Sequence, residues 1–180
     1  MPKRRDDLDR DVKTTEILDA ATAQLMAGGY DGLSVAALAR DLGIAQNAVY
    51  WYFATKDALV IAAVERLLID IVSRKPPASR GLENQVLWFV DQLAELGDIR
   101  AALAQRAKAS VPVAAFVDDM NSRLYQLMRH ALEPHVAARD LDVASQAFLA
   151  TVQGAYAARL ATPARRRVLR YALRKLVAAE

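Results

Sequence analysis

A chain of 180 residues that is 54% apolar and 25% charged is long enough for one sizeable core or two small ones, and its composition is that of a globular protein, not a disordered one. The absence of cysteine removes disulfide frameworks, thiolate metal sites and thiol redox switches, and two isolated histidines argue against a histidine-built metal centre. The net charge of +3 has to be located before it counts: residues 1–56 hold 7 Lys/Arg against 8 Asp/Glu, so the positive surplus lies in residues 57–180.

No apolar run approaches the roughly 18 residues of a spanning helix. The opening MPKRRDDLDRD has basic residues without the apolar stretch of a signal peptide, so the expectation is a cytoplasmic protein with no membrane partner. Alanine, leucine and arginine dominate, the hydrophobic period is helical nearly throughout, and strand-length alternation of β-branched residues is absent. The fold class expected is all-α.

In chain order, the first helix is predicted from about Val12 to Ala27, capped by Asp9 or Asp11, with Ile17, Leu18, Ala21 and Leu25 on one face and Gly28-Gly29 as its stop. After Tyr30-Asp31-Gly32, Ser34 is placed to cap a short helix whose Val35, Leu38, Ala39 and Leu42 fall at i, i+3, i+4 and i+7. Ala37 stands where a capping box would carry Glu or Gln, so that cap is half built. Gly43 supplies a left-handed C-terminal residue, and a second short helix follows from near Gln46 to Phe53. Two short helices joined by a tight glycine turn are the core of a helix-turn-helix.

A fourth helix is predicted over Lys56 to Ser73, with Leu59, Val60, Ala63, Val64, Leu67, Leu68 and Ile71 on its apolar side and a length of roughly 27 Å. The run Lys75-Pro76-Pro77-Ala78-Ser79-Arg80-Gly81 is the candidate boundary. Beyond it, helices are predicted at about 82–97, 99–109, 112–138, 140–161 and 163–179, making about nine in all. Pro112 fits a first helical position, Pro134 kinks or ends the long helix, and Thr162 precedes Pro163 as a cap. The division expected is a DNA-binding domain over 1–56 with a basic N-terminal arm, a linking helix over 57–75, and a ligand-binding and dimerisation domain over 76–180.

The short helix that opens with Gln46 and Asn47 can enter a DNA major groove, where amide side chains pair with adenine N6 and N7. Those two residues are the expected base readers. Ala48 can touch a thymine methyl, and the Tyr50 hydroxyl can reach a phosphate. Tyr50, Trp51 and Tyr52 cannot all face one core, because consecutive helical residues are about 100° apart. At least one is exposed; Trp51 either joins the DNA face or packs inside the motif. Lys56, a cation at a helix start, makes a plausible phosphate clamp.

The stretch LSVAALARDLGIAQNAVYWYFATKDAL, Leu33 to Leu59, resembles the DNA-binding motif of the TetR family, and the resemblance extends back through Ile17, Leu18 and Ala20-Ala21. It implies an N-terminal three-helix helix-turn-helix domain and a C-terminal helical domain that binds a ligand and dimerises. It further implies phosphate contacts from Ser34, Tyr52 and Lys56. Such a homodimer would bind double-stranded operator DNA of pseudo-palindromic sequence, as a repressor released by a small-molecule effector. Two departures weaken backbone contacts: Ala45 replaces a capping Ser or Thr, and Ala36 replaces a polar or basic residue. Arg4, Arg5, Arg10 and Lys13 can compensate as a basic arm.

On the helix expected over 140–161, Leu141, Phe148, Val152 and Ala155 form one apolar stripe, and Val143, Ala147, Ala150, Gly154 and Ala158 form a second. That is too much apolar surface for one buried face, and the small residues permit close helix approach. With Val168, Leu169, Ala172, Leu173 and Leu176 of the last helix they suggest a two-fold four-helix dimer interface; Ala147, Phe148, Thr151, Gly154, Ala155, Val168, Leu169, Ala172 and Leu176 are its candidates. The alternative is an intramolecular bundle. Arg165, Arg166, Arg167, Arg170, Arg174 and Lys175 form a basic face expected to be solvated, with some ion pairs to the partner subunit.

For the effector, Trp88, Gln92, Phe116, Met120, Gln153 and Tyr156 are candidate contacts, a mixture suited to an apolar molecule with a few polar anchors. No cofactor is expected. Neither is catalysis: there is no P-loop, dinucleotide turn or cysteine nucleophile, and His130, Glu133 and His135 cluster only around Pro134 at a helix end. The competing reading is a helical dimeric interaction module without sequence-specific DNA binding, which burial of Gln46, Asn47 and Tyr50 in the protein's own fold would reveal.

Overall fold

The computed structural model describes residues 5–74 and 81–178, with side chains from Arg10 onward. The Arg4 and Arg5 side chains of the predicted basic arm and the predicted boundary at residues 75–80 lie outside the described residues. Among the described residues there are nine α-helices and no strand: α1 (Arg5–Gly32), α2 (Val35–Asp41), α3 (Gln46–Tyr52), α4 (Lys56–Ser73), α5 (Leu82–Ala94), α6 (Gly97–Ala107), α7 (Val111–Leu132), α8 (Leu141–Ala157) and α9 (Thr162–Val177). No helix in this set is long and apolar enough to cross a membrane. The chain divides into two compact units, one of residues 1–73 with 98–117, the other of residues 74–97 with 118–180.

The first unit is built on α1 and α4. Ile17, Ala21 and Leu25 of α1 and Leu59, Val60, Ala63 and Val64 of α4 are all at most 1% exposed, and the two helices pack on one another. Helix α1 outlasts its expected stop. Gly29 adopts φ 63°, ψ −163°, a kink only glycine takes without strain, and helical geometry then resumes to Gly32. The double glycine therefore bends the element and lets Tyr30 follow at an angle. α2 buries Val35, Leu38 and Ala39, and its end is a Schellman turn: Gly43 at φ 65° donates to the Arg40 carbonyl and Ile44 to the Ala39 carbonyl. This is the glycine turn expected between the two short helices.

The second unit closes around Val86, Leu87 and Val90 of α5, Met128 and Leu132 of α7, Leu141, Phe148, Val152 and Ala155 of α8, and Leu169 and Leu173 of α9. Helix α7 stops at Leu132, two residues before Pro134, because proline disfavours helical geometry in the residue before it. At α9 the expected cap shifts by one: Ala161 is the cap, Thr162 lies inside the first turn, and its hydroxyl sits 3.3 Å from Arg165 Nη2. The basic face of α9 pairs within its own chain. Arg165 and Arg166 reach Asp91 of α5 at 3.3 and 2.6 Å, and Arg170 and Arg174 reach Glu83 of the same helix at 2.5 and 2.7 Å. Four arginines key α9 onto α5 within the one chain, and two of them, Arg174 first and then Arg170, hold the Glu83 carboxyl below its usual range.

Candidate nucleic-acid interface

The entry to the helix-turn-helix is fixed by two side chains. Ser34 caps α2 by accepting the Ala37 N–H at 3.2 Å, and its own N–H donates to Gln24 Oε1 of α1 at 3.0 Å. A capping box would satisfy that second donor from the residue at Ala37, which has no side-chain acceptor, so α1 supplies the missing one. The outcome is an α2 whose start is pinned to α1, leaving Ser34 itself exposed.

Helix α3 touches the core through Val49, which is 1% exposed. Its opposite face carries Gln46, Asn47, Tyr50 and Trp51, all exposed and paired at i, i+4 as surface neighbours, with Ala48 and Tyr52 half-buried at its flanks. Trp51 is 65% exposed, so its ring lies on the surface and not inside the motif. It meets the Tyr52 ring edge to face at 4.9 Å, and the Arg10 guanidinium of α1 lies 4.8 Å from its centroid. Arg10 is thus brought to the exposed side of α3. Lys13, the other described cation of the predicted arm, pairs instead with Glu16 one turn along at 2.5 Å.

Lys56 opens α4 behind a Thr55 cap, whose Oγ1 accepts the Ala58 N–H at 3.0 Å. Its ammonium rests 4.6 Å from the centroid of the Tyr30 ring. The next residue, Asp57, is 8% exposed and accepts hydrogen bonds from three residues, of which Arg106 carries the compensating charge. Tyr30 Oη donates to Oδ1 at 2.5 Å, Arg106 of α6 donates from Nε at 3.1 Å to Oδ1 and from Nη2 at 2.9 Å to Oδ2, and Ser110 Oγ donates to Oδ2 at 2.7 Å. The Arg106 hydrogen bonds, against the opposing effect of burial, hold the Asp57 carboxyl down at about 2. Burial first, and the Asp57 carboxylate second, push the Tyr30 hydroxyl up to about 12.

Sequence reasoning missed this cluster. Its partners lie 27, 49 and 53 residues from Asp57, beyond any local pattern. The one available signal was an aspartate inside a helix face that is otherwise core, since a buried carboxylate must be paired.

The other predicted sites lie in several places. Of the effector candidates, Phe116 is 8% exposed in the first unit and Met120 4% exposed in the second. Trp88, Gln92 and Tyr156 are half-buried and Gln153 is exposed. Gln92 accepts from Arg74 at 3.0 Å; Tyr156 donates to the Val90 carbonyl at 2.8 Å with its ring 4.9 Å from the Arg165 guanidinium. Of the dimer candidates, Phe148, Ala155 and Leu169 belong to the core of the second unit, with Ala172 and Leu176 packed against it. Ala147, Gly154 and Val168 are exposed; Thr151 is half-buried and bonds the Ala147 carbonyl. No group of three potential metal ligands occurs among the described residues.

Residues 17–63 match the family described as bacterial regulatory proteins, tetR family. The whole fold is shared with solved structures of low identity. A transcriptional regulator from Rhodococcus sp. superposes with a TM-score of 0.72 at 19% identity, over 91% of this chain and 95% of that one. A TetR-family regulator described from Mesorhizobium loti gives 0.72 at 18%, covering 98% of each chain, and a TetR-family regulator from Agrobacterium tumefaciens gives 0.69 at 21%, covering 93% and 99%. No curated protein matches the sequence at a significant level.

Proposed function

We propose that the chain, whose residues 17–63 match the family described as bacterial regulatory proteins, tetR family, is a sequence-specific transcriptional repressor, binding a pseudo-palindromic operator as a homodimer and leaving it when a small apolar effector binds. The observation that carries the DNA reading is the exposed face of α3, where Gln46, Asn47, Tyr50 and Trp51 project together while Val49 holds the helix to the core. A bundle that used α3 only for packing would bury that face, and here it is exposed. Gln46 and Asn47 read bases, Ala48 abuts a thymine methyl, and Ser34, Tyr50, Tyr52 and Lys56 contact phosphates, with Trp51 beside them.

In this reading DNA binding belongs to residues 1–56, with 57–75 as the link and 76–180 as the effector and dimer region. Within the second unit, the apolar character of Trp88 and Met120, relieved by Gln92, Gln153 and Tyr156, supports an apolar effector with few polar anchors. Such a ligand lowers operator occupancy only to the extent that it favours a DNA-incompetent state. A dimer would set two α3 helices in successive major grooves roughly 34 Å apart.

Selection of binding sites from a random duplex library tests this directly, with Tyr50→Ala and Gln46→Ala/Asn47→Ala run beside the wild type. Enrichment of an inverted repeat is expected, which Tyr50→Ala weakens uniformly and the double variant relaxes or redirects. Folded wild-type protein that enriches no sequence at low salt would overturn the DNA reading.

A further inference from the structure

Lys56 and Asp57 pose a problem for a phosphate site. A carboxylate one residue from the ammonium lowers the positive potential that an incoming phosphate meets, in a segment already short of positive charge. Helix geometry turns the two side chains about 100° apart, and Tyr30 touches both. Its ring face takes the Lys56 ammonium at 4.6 Å, while its hydroxyl, at the far end of the same ring, donates to Asp57 Oδ1 at 2.5 Å. Arg106 and Ser110 occupy the remaining acceptor positions of that carboxylate. Among the described residues Lys56 pairs with no carboxylate, whereas Asp57 is buried and its charge is matched by Arg106.

We propose that Tyr30 is a positioning residue for DNA binding: it sorts two adjacent opposite charges, presenting the Lys56 ammonium to phosphate and retaining the Asp57 carboxylate inside. The ring restricts a long, flexible side chain before DNA arrives, so less rotamer freedom is lost on binding. A phosphate approaching from the open side keeps access to the ammonium's donors, because the aromatic face contacts the cation without accepting a conventional hydrogen bond. Tyr30 directly follows the kink at Gly29. This inference rests on the reading of Lys56 as a phosphate contact, and it adds a residue of α1 that touches no DNA.

The test is a double-mutant cycle on operator affinity, measured by fluorescence anisotropy over a series of salt concentrations with the duplex selected above. The proteins are wild type, Tyr30→Leu, Tyr30→Phe, Lys56→Met and Tyr30→Leu/Lys56→Met. Lys56→Met is expected to weaken binding and flatten the log–log salt slope by about one. Tyr30→Leu should weaken binding by about 2- to 5-fold, the magnitude of an exposed cation–π contact, with a shallower slope. In the Lys56→Met background the same change should do nothing further, and Tyr30→Phe, which keeps the ring, should retain most of the Lys56 effect. An equal loss from Tyr30→Leu in both backgrounds would mean that Tyr30 acts only through folding and would overturn the proposal. If wild type binds and Lys56→Met binds as well as it does, the positioning role falls while the DNA reading stands; if wild type binds no duplex, both fall.

Discussion

Asp57 contributes to the stability of the first unit in a manner that pH exposes. Its carboxyl is lowered from 3.8 to about 2 in the folded chain, so folding favours the ionised form. The stabilisation, about 2 kcal/mol from the shift, is fully present above the unfolded value and is lost as pH falls from about 4 towards 2. Tyr30 works at the other end: raised from 10 to about 12, it stabilises the fold below pH 10 and ceases to do so as pH rises through 12. Urea unfolding of wild type and Asp57→Asn between pH 2 and 7 should show curves that converge at the acid end and separate by about 2 kcal/mol at neutrality. Parallel curves would deny the carboxylate its role. Little of this was legible beforehand. The exposed α3 side chains could be named from a short amphipathic pattern after a glycine turn, but Asp57 finds its partners on α1, on α6 and at Ser110 just before α7, and only the folded chain brings those together.

At the scale of the helix, two ends built alike differ in how readable they were. The Schellman turn after α2 has Gly43 in the left-handed position, and its place was evident from that residue. The turn after α8 has the same hydrogen bonds, with Arg159 donating to the Tyr156 carbonyl and Leu160 to the Ala155 carbonyl, but Arg159 itself adopts φ 50°. A helix predicted to run through 161 therefore ends at Ala157, because nothing in the residue type announces the left-handed conformation. Arginine there bears a strain of roughly 1–2 kcal/mol that glycine does not. Arg159→Gly should accordingly raise the unfolding free energy by about 1 kcal/mol, with part of the gain offset by the greater freedom of glycine in the unfolded chain. Calorimetry on the two proteins decides it, and a loss of stability would mean that the Arg159 side chain contributes more than its backbone costs. The same distinction accounts for α1, where the double glycine suggested an end but only its φ and ψ reveal a kink inside a longer helix.

For the whole molecule the question is whether a second copy covers α8. One side of that helix, with Leu141, Ala144, Phe148, Val152 and Ala155, is sealed in the core; the other presents Val143, 70% exposed, with Ala147, Ala150, Gly154 and Ala158, a stripe without charge. Val168 and Tyr171 of α9 are 42% and 67% exposed. A water-facing helix side of alanine, glycine and valine is an unusual solution for a monomer and a natural one for close helix packing across a two-fold axis. Gly154 offers a clean probe, because a Cβ built there meets nothing within 4 Å and its φ is ordinary. Gly154→Leu should leave the monomer folded, and slightly more stable by helix propensity, up to about 1 kcal/mol. In an isologous interface the added side chain appears twice at the closest approach, so sedimentation equilibrium should show dimer dissociation strengthened by at least about tenfold, or more than 1.4 kcal/mol. Operator affinity should fall with it, since a monomer grips only one half-site. A variant whose sedimentation and operator affinity both match the wild type's would place any dimer interface elsewhere and leave the bare stripe on α8 without a partner.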